Sequence, residues 1–424
     1  MKNILINVYA MCPGKGSEPG GGWNWVSNIA KYHHVFVITE SEFRNEIESA
    51  IATIPQKKNI TMYYNDIGEK ARKMCWNQGD YRFYYYYKKW QDETYKIAQV
   101  ILAKYDIDLI HQLNMTGYRE PGYLWKLNMP MIWGPISGFG LINSSYFKIF
   151  PLKTRIKYFA KNIVNSLQAY LPRIQAAIQY PDLLIAANSE AKKALQKFRK
   201  SGVYLINDTG AANTQFSGDL EKKSKESKFK IAWVGKDVPR KALILALKAM
   251  KEISSADIEL HIIGVREEEY AKYKPFWSDH VINHGVKSHE ETVKILSLSH
   301  MLLFTSLHEG TPHAVLEALS CGVPVVCHDS HGQGDLINEN CGIKVPLKNP
   351  ENSVRQFVLA IKKISSDHGY QFKLATGAIA HAKEITWEKD IDKVMEMYSM
   401  VFDQSKKRKP VTKKSNAPSA LLQQ

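Results

Sequence analysis

The chain has 424 residues, is 44% hydrophobic, and sets 57 Lys and Arg against 42 Asp and Glu for a formal net charge of +15. That length exceeds one ordinary hydrophobic core, so two domains of roughly 200 residues are expected, and the lack of any run of about 18 uncharged apolar residues excludes a membrane-spanning helix. Five cysteines, at 12, 75, 321, 327 and 341, form no C-x-x-C pair and leave one over, which excludes a disulfide framework and a structural zinc site.

The opening MKNILINVYA reads as a first strand, Ile4 to Tyr9, rather than as a leader, and places the protein in the cytoplasm. A glycine-rich stretch, PGKGSEPGGGW (13–23), follows, then a helix-like WNWVSNIAKYH and a second strand, VFVIT. Strand, loop, helix, strand is a βαβ unit and predicts a parallel sheet. Further strands are expected at ITMYY (60–64), DLIHQL (108–113), PMIWG (130–134) and DLLIAAN (182–188). Residues 207–228 are polar, small and charged, as a connection between domains should be. The alternation then restarts, with strands KIAWVG, IELHIIG, VINHG, MLLFTS and VPVVCH separated mostly by helices. A last helix, Trp387 to Phe402, carries Ile391, Val394, Met395, Tyr398 and Phe402 at helical spacing behind Thr386 as N-cap. The predicted domains are 1–206, a linker 207–228, a second domain 229–385, a helix 386–403 and a disordered basic tail 404–424 that includes KKRKPVTKK.

Charge is unevenly spread. Between Glu120 and Asp182 no acidic residue occurs, while Lys126, Lys148, Lys153, Arg155, Lys157, Lys161 and Arg173 do. Such a face attracts phosphate, whether in nucleic acid, lipid headgroups or a substrate. Within it, Leu152, Ile156, Phe159, Ile163 and Leu167 share one helical face flanked by Lys153, Lys157 and Lys161. Two readings fit: an interfacial helix on anionic lipid, or a core helix with a solvated basic face.

Three motifs bear on chemistry. Glycines 14, 16, 20, 21 and 22 lie between a strand and a helix, where backbone N–H groups can hold a phosphate. Their spacing misses G-x-G-x-x-G, although Glu40, at the end of the second strand, could serve as the ribose acid of a dinucleotide site. A tight turn without a ligand is the plain alternative. In HEGTPHAVLEALSCGVPVV, Glu309 sits in a loop at the carboxyl end of a strand and Glu317 inside the following helix. Alone, two such glutamates are ordinary solvated charges; facing one cleft, they suit the hydroxyls of a sugar or ribose, beside a helix N-terminus that favours a diphosphate. In VGKDVPRK, Lys236 and Lys241, or Arg240 in place of one of them, follow the first strand of the second domain and could neutralise that diphosphate.

EGTPHAVLEALSCGVPVV together with GKDVPRK resembles the nucleotide-sugar-binding half of glycosyltransferase family 4, with Glu309 and Glu317 similar to its E-x7-E pair and Lys236 in place of its usual arginine. GSEPGGGWNWV, DLIHQLNMTGYREPGYLW and PMIWGPISG resemble a bacterial, surface-polysaccharide branch of the same family, so the likeness runs from about residue 1 to residue 402. The resemblance implies a GT-B, α/β architecture: two Rossmann-like domains facing a central cleft, with a C-terminal helix crossing back to the first. It implies a retaining, metal-independent transferase that moves a sugar from a nucleoside diphosphate to a glycan or lipid-linked acceptor, without a cofactor, on the inner face of the plasma membrane. On matching positions, Glu309 would hold sugar hydroxyls and Glu317 the ribose. Lys236 and Lys241 would bind the diphosphate, together with Gly21, Gly22 and the segment Gly310, Thr311, Pro312 and His313. His111 would touch the transferred sugar, and Gly264 and Val286 would flank the base.

Rival readings are an NAD-dependent oxidoreductase, which explains none of the second-half pattern, and an epimerase or phosphorylase on the same fold. A nucleic-acid-binding protein is not expected, because the basic residues do not interleave with aromatics as in an RNA module. No Asp-x-Asp pair stands in the appropriate loop, and the histidines show no ligand spacing, so no metal site is expected.

Overall fold

In the computed structural model, which describes residues 1–76, 80–211, 220, 223, 226–253 and 255–407, the first half is built on seven strands: β1 (Asn3–Val8), β2 (His34–Glu40), β3 (Ile60–Asn65), β4 (Leu109–Asn114), β5 (Met131–Ile136), β6 (Leu183–Ala186) and β7 (Val203–Leu205). They run parallel in the order 3-2-1-4-5-6-7. The second half has β8 (Phe229–Val234), β9 (Ile258–Ile263), β10 (Val281–Asn283), β11 (Met301–Phe304), β12 (Val325–His328) and β13 (Gly342–Val345), parallel in the order 10-9-8-11-12-13. Inner strands read as unbroken apolar runs because helices cover both faces of each sheet. In each sheet the strand order reverses beside the first strand, β1 or β8, and in open α/β sheets ligands bind beyond the carboxyl ends at that point.

β7 and β13 were not among the predicted strands. Each is a short edge strand of three or four residues, too brief for a periodicity to show.

The predicted linker is partly structural: Ile206 joins the core of the first domain, Thr209 is buried, and Ala211 bridges to Thr386. The rest of it lies mostly outside the described residues. The final helix, Trp387–Lys407, is longer than expected and takes in the start of the predicted tail; residues 408–424 are outside the described set. Its Trp387, Ile391, Val394, Met397, Tyr398 and Val401 pack with Ile4, Ile6 and Val37 of the first sheet. A second crossing runs the other way. Ile142, Tyr146 and Phe150, which follow β5, belong to the apolar core of the second domain. There Tyr146 Oη lies 2.6 Å from Ser353 Oγ, which is 2.9 Å from His328 Nε2. No helix among the described residues is long and apolar enough to cross a membrane.

Candidate active site in the interdomain cleft

The glycine-rich stretch is largely helical: the helix spans Ser17–Ile29 and includes Gly20, Gly21 and Gly22. A Cβ on Gly20 would stand 1.8 Å from the Lys15 carbonyl oxygen, and one on Gly22 would stand 2.2 Å from that of Ala10. These two glycines let the helix start close against the end of β1. Gly21 has no such crowding, its nearest atom being the Asp208 carbonyl oxygen at 3.6 Å. Gly21 and Gly22 face Gly310, Thr311 and His313 of the second domain across a cavity of about 290 Å³.

Glu309 is the electrostatic centre of the cleft. After β8 a single 3₁₀ turn, Pro239–Lys241, presents two adjacent cations. Leu307 N–H donates to the Arg240 carbonyl at 2.7 Å and the Thr305 hydroxyl donates to that of Lys241 at 2.8 Å, so the turn is pinned to the segment leaving β11. Lys241 Nζ then lies 2.7 Å from Glu309 Oε1, and the Arg240 guanidinium closes on the same oxygen. Burial pushes the Glu309 carboxyl up, but Lys241 and Arg240 outweigh it and hold the group below its usual range. Burial pushes the Lys241 ammonium down, against the pull of Glu309. The cluster keeps one positive charge in excess at the head of the His313–Ser320 helix, whose N-terminal N–H groups add to it.

Several predicted site residues stand elsewhere. Lys236, expected with Lys241 on the diphosphate, is exposed and forms no ion pair among the described residues, whereas Arg240, the alternative member of that pair, joins Lys241 on Glu309. The spacing of the loop left that choice open, and the 3₁₀ turn decides it. His111 does not reach the cleft. It lies in a central strand, in register with Ile6 and Ile132, fully buried, with Nδ1 2.7 Å from Tyr398 Oη and Nε2 2.9 Å from the Gly134 carbonyl. Desolvation lowers its pKa to about 4, so it is a neutral link between sheet and final helix. Glu317 sits on the His313–Ser320 helix with its carboxylate 3.6 Å from His289 Nδ1, and burial raises its pKa. It does not line the cavity between Gly21 and Thr311. Gly264, at φ +98°, leaves no room for a Cβ against the Gly235 carbonyl at the end of β8, and Val286 is exposed. Pro312 is the N-cap of the helix rather than its first residue. Glu40 is consumed internally, accepting from Arg72 at 2.8 Å and from the N–H groups of Glu42 and Ile67, which removes the ribose acid of the dinucleotide reading.

Residues not anticipated complete the cleft. Glu18 accepts from Thr116 N–H at 3.2 Å and from its hydroxyl at 3.3 Å. Asp208, assigned to the linker on sequence, lines the same cavity; burial pushes its carboxyl up to about 6, with Thr311 opposing and Glu18 adding. Glu18 stood in a quoted motif, but nothing in the sequence marked Asp208. Between the domains, His308 stacks on His331 at 4.6 Å, and His331 Nε2 lies 2.7 Å from Glu190 Oε2 of the first domain. Asp335 of the second domain accepts from Ser189 N–H at 2.6 Å. Gly140 approaches His308 so closely that a Cβ there would fall 2.2 Å from Nε2.

Residues 219–384, most of the second domain, match the family model for glycosyl transferases group 1. Over the whole chain, the folds most alike include sucrose-phosphate synthase from Thermosynechococcus elongatus, with TM-score 0.65, 15% identity, and coverage of 95% of this chain and 100% of that one. Anabaena Alr3699/HepE, solved in complex with UDP and glucose, aligns with TM-score 0.55 at 13% identity over 94% and 100% of the two chains. The fold is GT-B. Among curated sequences, D-inositol 3-phosphate glycosyltransferase of Streptomyces bingchenggensis is 28% identical over 100 residues, 23% of this chain and 21% of that protein. The chain spans about a fifth of the length of the curated relatives it matches. Within the GT-B frame, Gly310 and Thr311, which follow Glu309, face the Gly21 helix from the other domain.

Proposed function

We propose that the protein is a retaining glycosyltransferase that moves a sugar from a nucleoside diphosphate to an acceptor hydroxyl, in the assembly of a polysaccharide, O-antigen or lipid-linked glycan at the inner face of the plasma membrane. One observation carries the reading: Glu309 is held by Arg240 and Lys241 in the loop before the His313–Ser320 helix, and its neighbours Gly310 and Thr311 face Gly21 of the first domain across a cavity. Excess positive charge and free helix N–H groups suit a diphosphate leaving group, and the carboxylate suits sugar hydroxyls. The match to glycosyl transferases group 1 covers this half of the cleft, and HepE, of like fold, binds UDP and glucose.

In this mechanism the bond from the anomeric carbon to the phosphate oxygen breaks, while the bond to the acceptor oxygen forms on the same face. The acceptor proton passes to an oxygen of the departing diphosphate. Arg240, Lys241 and the helix amides stabilise the charge that develops there, so no side-chain nucleophile, cofactor or metal is called on. Glu317, beside His289, is left to hold the ribose.

Thermal unfolding with UDP-, GDP- and ADP-sugars tests donor binding, since a ligand of the native state at about 100 times its Kd adds about 2.7 kcal/mol. Anomeric analysis of the product by NMR then tests the chemistry. Inversion at that centre, or strict dependence on added manganese, would falsify the mechanism.

A further inference from the structure

His331 stands at φ +54°, in the left-handed region that few residues other than glycine occupy. That turn sets the next residue hard against the loop that carries Glu309. A Cβ on Gly332 would fall 1.4 Å from the Gly310 carbonyl oxygen, and Gly332 N–H donates to the Glu309 carbonyl at 3.4 Å. The His331 imidazole stacks on His308, the residue before Glu309, with ring centres 4.6 Å apart. Backbone and ring of this segment therefore both support the Glu309–Gly310 loop. Strain of this kind persists only where surrounding contacts hold it in place.

Part of that hold comes from the other domain. Glu190 is the second residue of the Ser189–Gln196 helix, and its Oε2 lies 2.7 Å from His331 Nε2. The His331 side chain is 6% exposed and that of Glu190 37%, so one partner is buried and the other partly so. Burial raises the Glu190 carboxyl, but His331 and His308 outweigh it and hold the group below its usual range. Burial first, then His331, pushes His308 down to about 4, and burial does the same to His328. Those two rings are neutral, which leaves His331 as the imidazole to carry the charge that Glu190 attracts. The other charged groups around it are engaged: Arg240 with Glu309, Asp329 with Lys344 at 3.1 Å, and Asp335 with Ser189 N–H.

We propose that His331 is a positioning residue: protonated and paired with Glu190 across the domain interface, it fixes the Glu309–Gly310 loop against the first domain. Histidine is the side chain whose charge ordinarily changes between about pH 5 and 8, so the pairing is present at the acid end and is lost as pH rises. The pair acts through His308 and Gly332 and touches no reacting atom. That the loop serves a sugar donor rests on the transferase reading; its dependence on Glu190 and on pH does not.

The test is backbone hydrogen exchange over residues 306–316, read by mass spectrometry on the full chain at about pH 6 and about pH 8, together with calorimetric titration by UDP, GDP and ADP. Glu190→Gln removes the charge from a partly exposed side chain, and His331→Asn places in the left-handed turn a residue that accepts it, so both variants should fold. Dividing parent by variant cancels the titration of the nucleotide and of Asp208, which all share. At pH 6 the parent should exceed each variant about threefold to tenfold in loop protection and in affinity for the nucleotide that binds, the worth of a partly exposed ion pair. At pH 8 both ratios should fall toward one. The double variant should lose no more than either single one, because each breaks the same pair. Ratios indifferent to pH, or additive losses in the double variant, overturn the pairing. A pH-dependent ratio in protection with none in nucleotide affinity overturns the positioning role. A parent that binds none of the three nucleotides, with the protection pattern intact, overturns the transferase reading and leaves the interdomain hold standing.

Discussion

Lys241 Nζ lies 2.7 Å from Glu309 Oε1, and that one oxygen is shared with the Arg240 guanidinium, so a single carboxylate restrains two cations until an anion competes for them. The consequence is a separation of roles that substitution can expose. Lys241→Met removes a charge-assisted contact to the diphosphate, worth about 1.5–3 kcal/mol, and should weaken UDP binding about tenfold to a hundredfold. Glu309→Gln leaves both cations free and should keep UDP affinity within about threefold, or tighten it, while turnover of the sugar falls. Calorimetry with UDP and initial rates with the donor sugar separate the two effects. Equal loss of UDP affinity in both variants contradicts this assignment.

Asp208 gives the cleft a pH dependence of a definite sign. Its folded carboxyl titrates at about 6, against about 3.9 unfolded. The native state therefore binds more protons than the unfolded chain between these values, and stability falls as pH rises from about 4 to about 6. Below that window the group contributes nothing; above it the penalty is complete, of order 3 kcal/mol. Asp208→Asn should flatten this part of the profile and stabilise the protein at pH 7 by about 1–2 kcal/mol. Urea unfolding at pH 4.5 and 7 measures both, and a variant less stable at pH 7 than the parent rules the account out.

Tyr146 ties the domains through packing rather than charge. It is fully buried in the core of the other domain and hydrogen-bonded to Ser353. Calorimetric unfolding should accordingly show one transition. Tyr146→Ala deletes a buried aromatic, at a cost of about 3–5 kcal/mol, and should split the endotherm in two, whereas Tyr146→Phe, losing about 1 kcal/mol of hydrogen bonding, should only lower its midpoint. A single unsplit transition in Tyr146→Ala would show the contact to be incidental.

These cases mark where sequence reading reached and where it stopped. Two parallel α/β sheets were legible because each strand is an apolar run with a helix behind it, and Glu309 was legible because a loop at a strand end precedes a helix start. The identity of its cation was not: Lys236, Arg240 and Lys241 lie within six positions, and only the 3₁₀ turn selects the last two. His111 misled because a strand end on sequence proved to be a buried position in the sheet centre. Asp208 was lost in a stretch whose polarity read as linker, although the backbone there runs through the cleft wall. Tertiary contacts decided each of these, and no local pattern encodes them.

The lysine stripe on the Leu152–Gln168 helix completes the expectations. Its charges stand beside uncovered Leu152, Ile156 and Phe159, so two forces should act on a membrane, one of them sensitive to salt. Each lysine near an anionic leaflet is worth about 1 kcal/mol. Exchanging Lys153, Lys157 and Lys161 for glutamate replaces three attractions by repulsions and should weaken flotation with phosphatidylglycerol vesicles by more than about a hundredfold. Raising the salt to 1 M, where the Debye length shrinks to about 3 Å, should reproduce most of that loss in the parent protein. Vesicles of phosphatidylcholine alone should bind parent and variant equally weakly, because the apolar face is unchanged. Flotation that ignores both salt and charge reversal would mean that the helix meets lipid through its apolar face alone, or that its basic residues serve another anion.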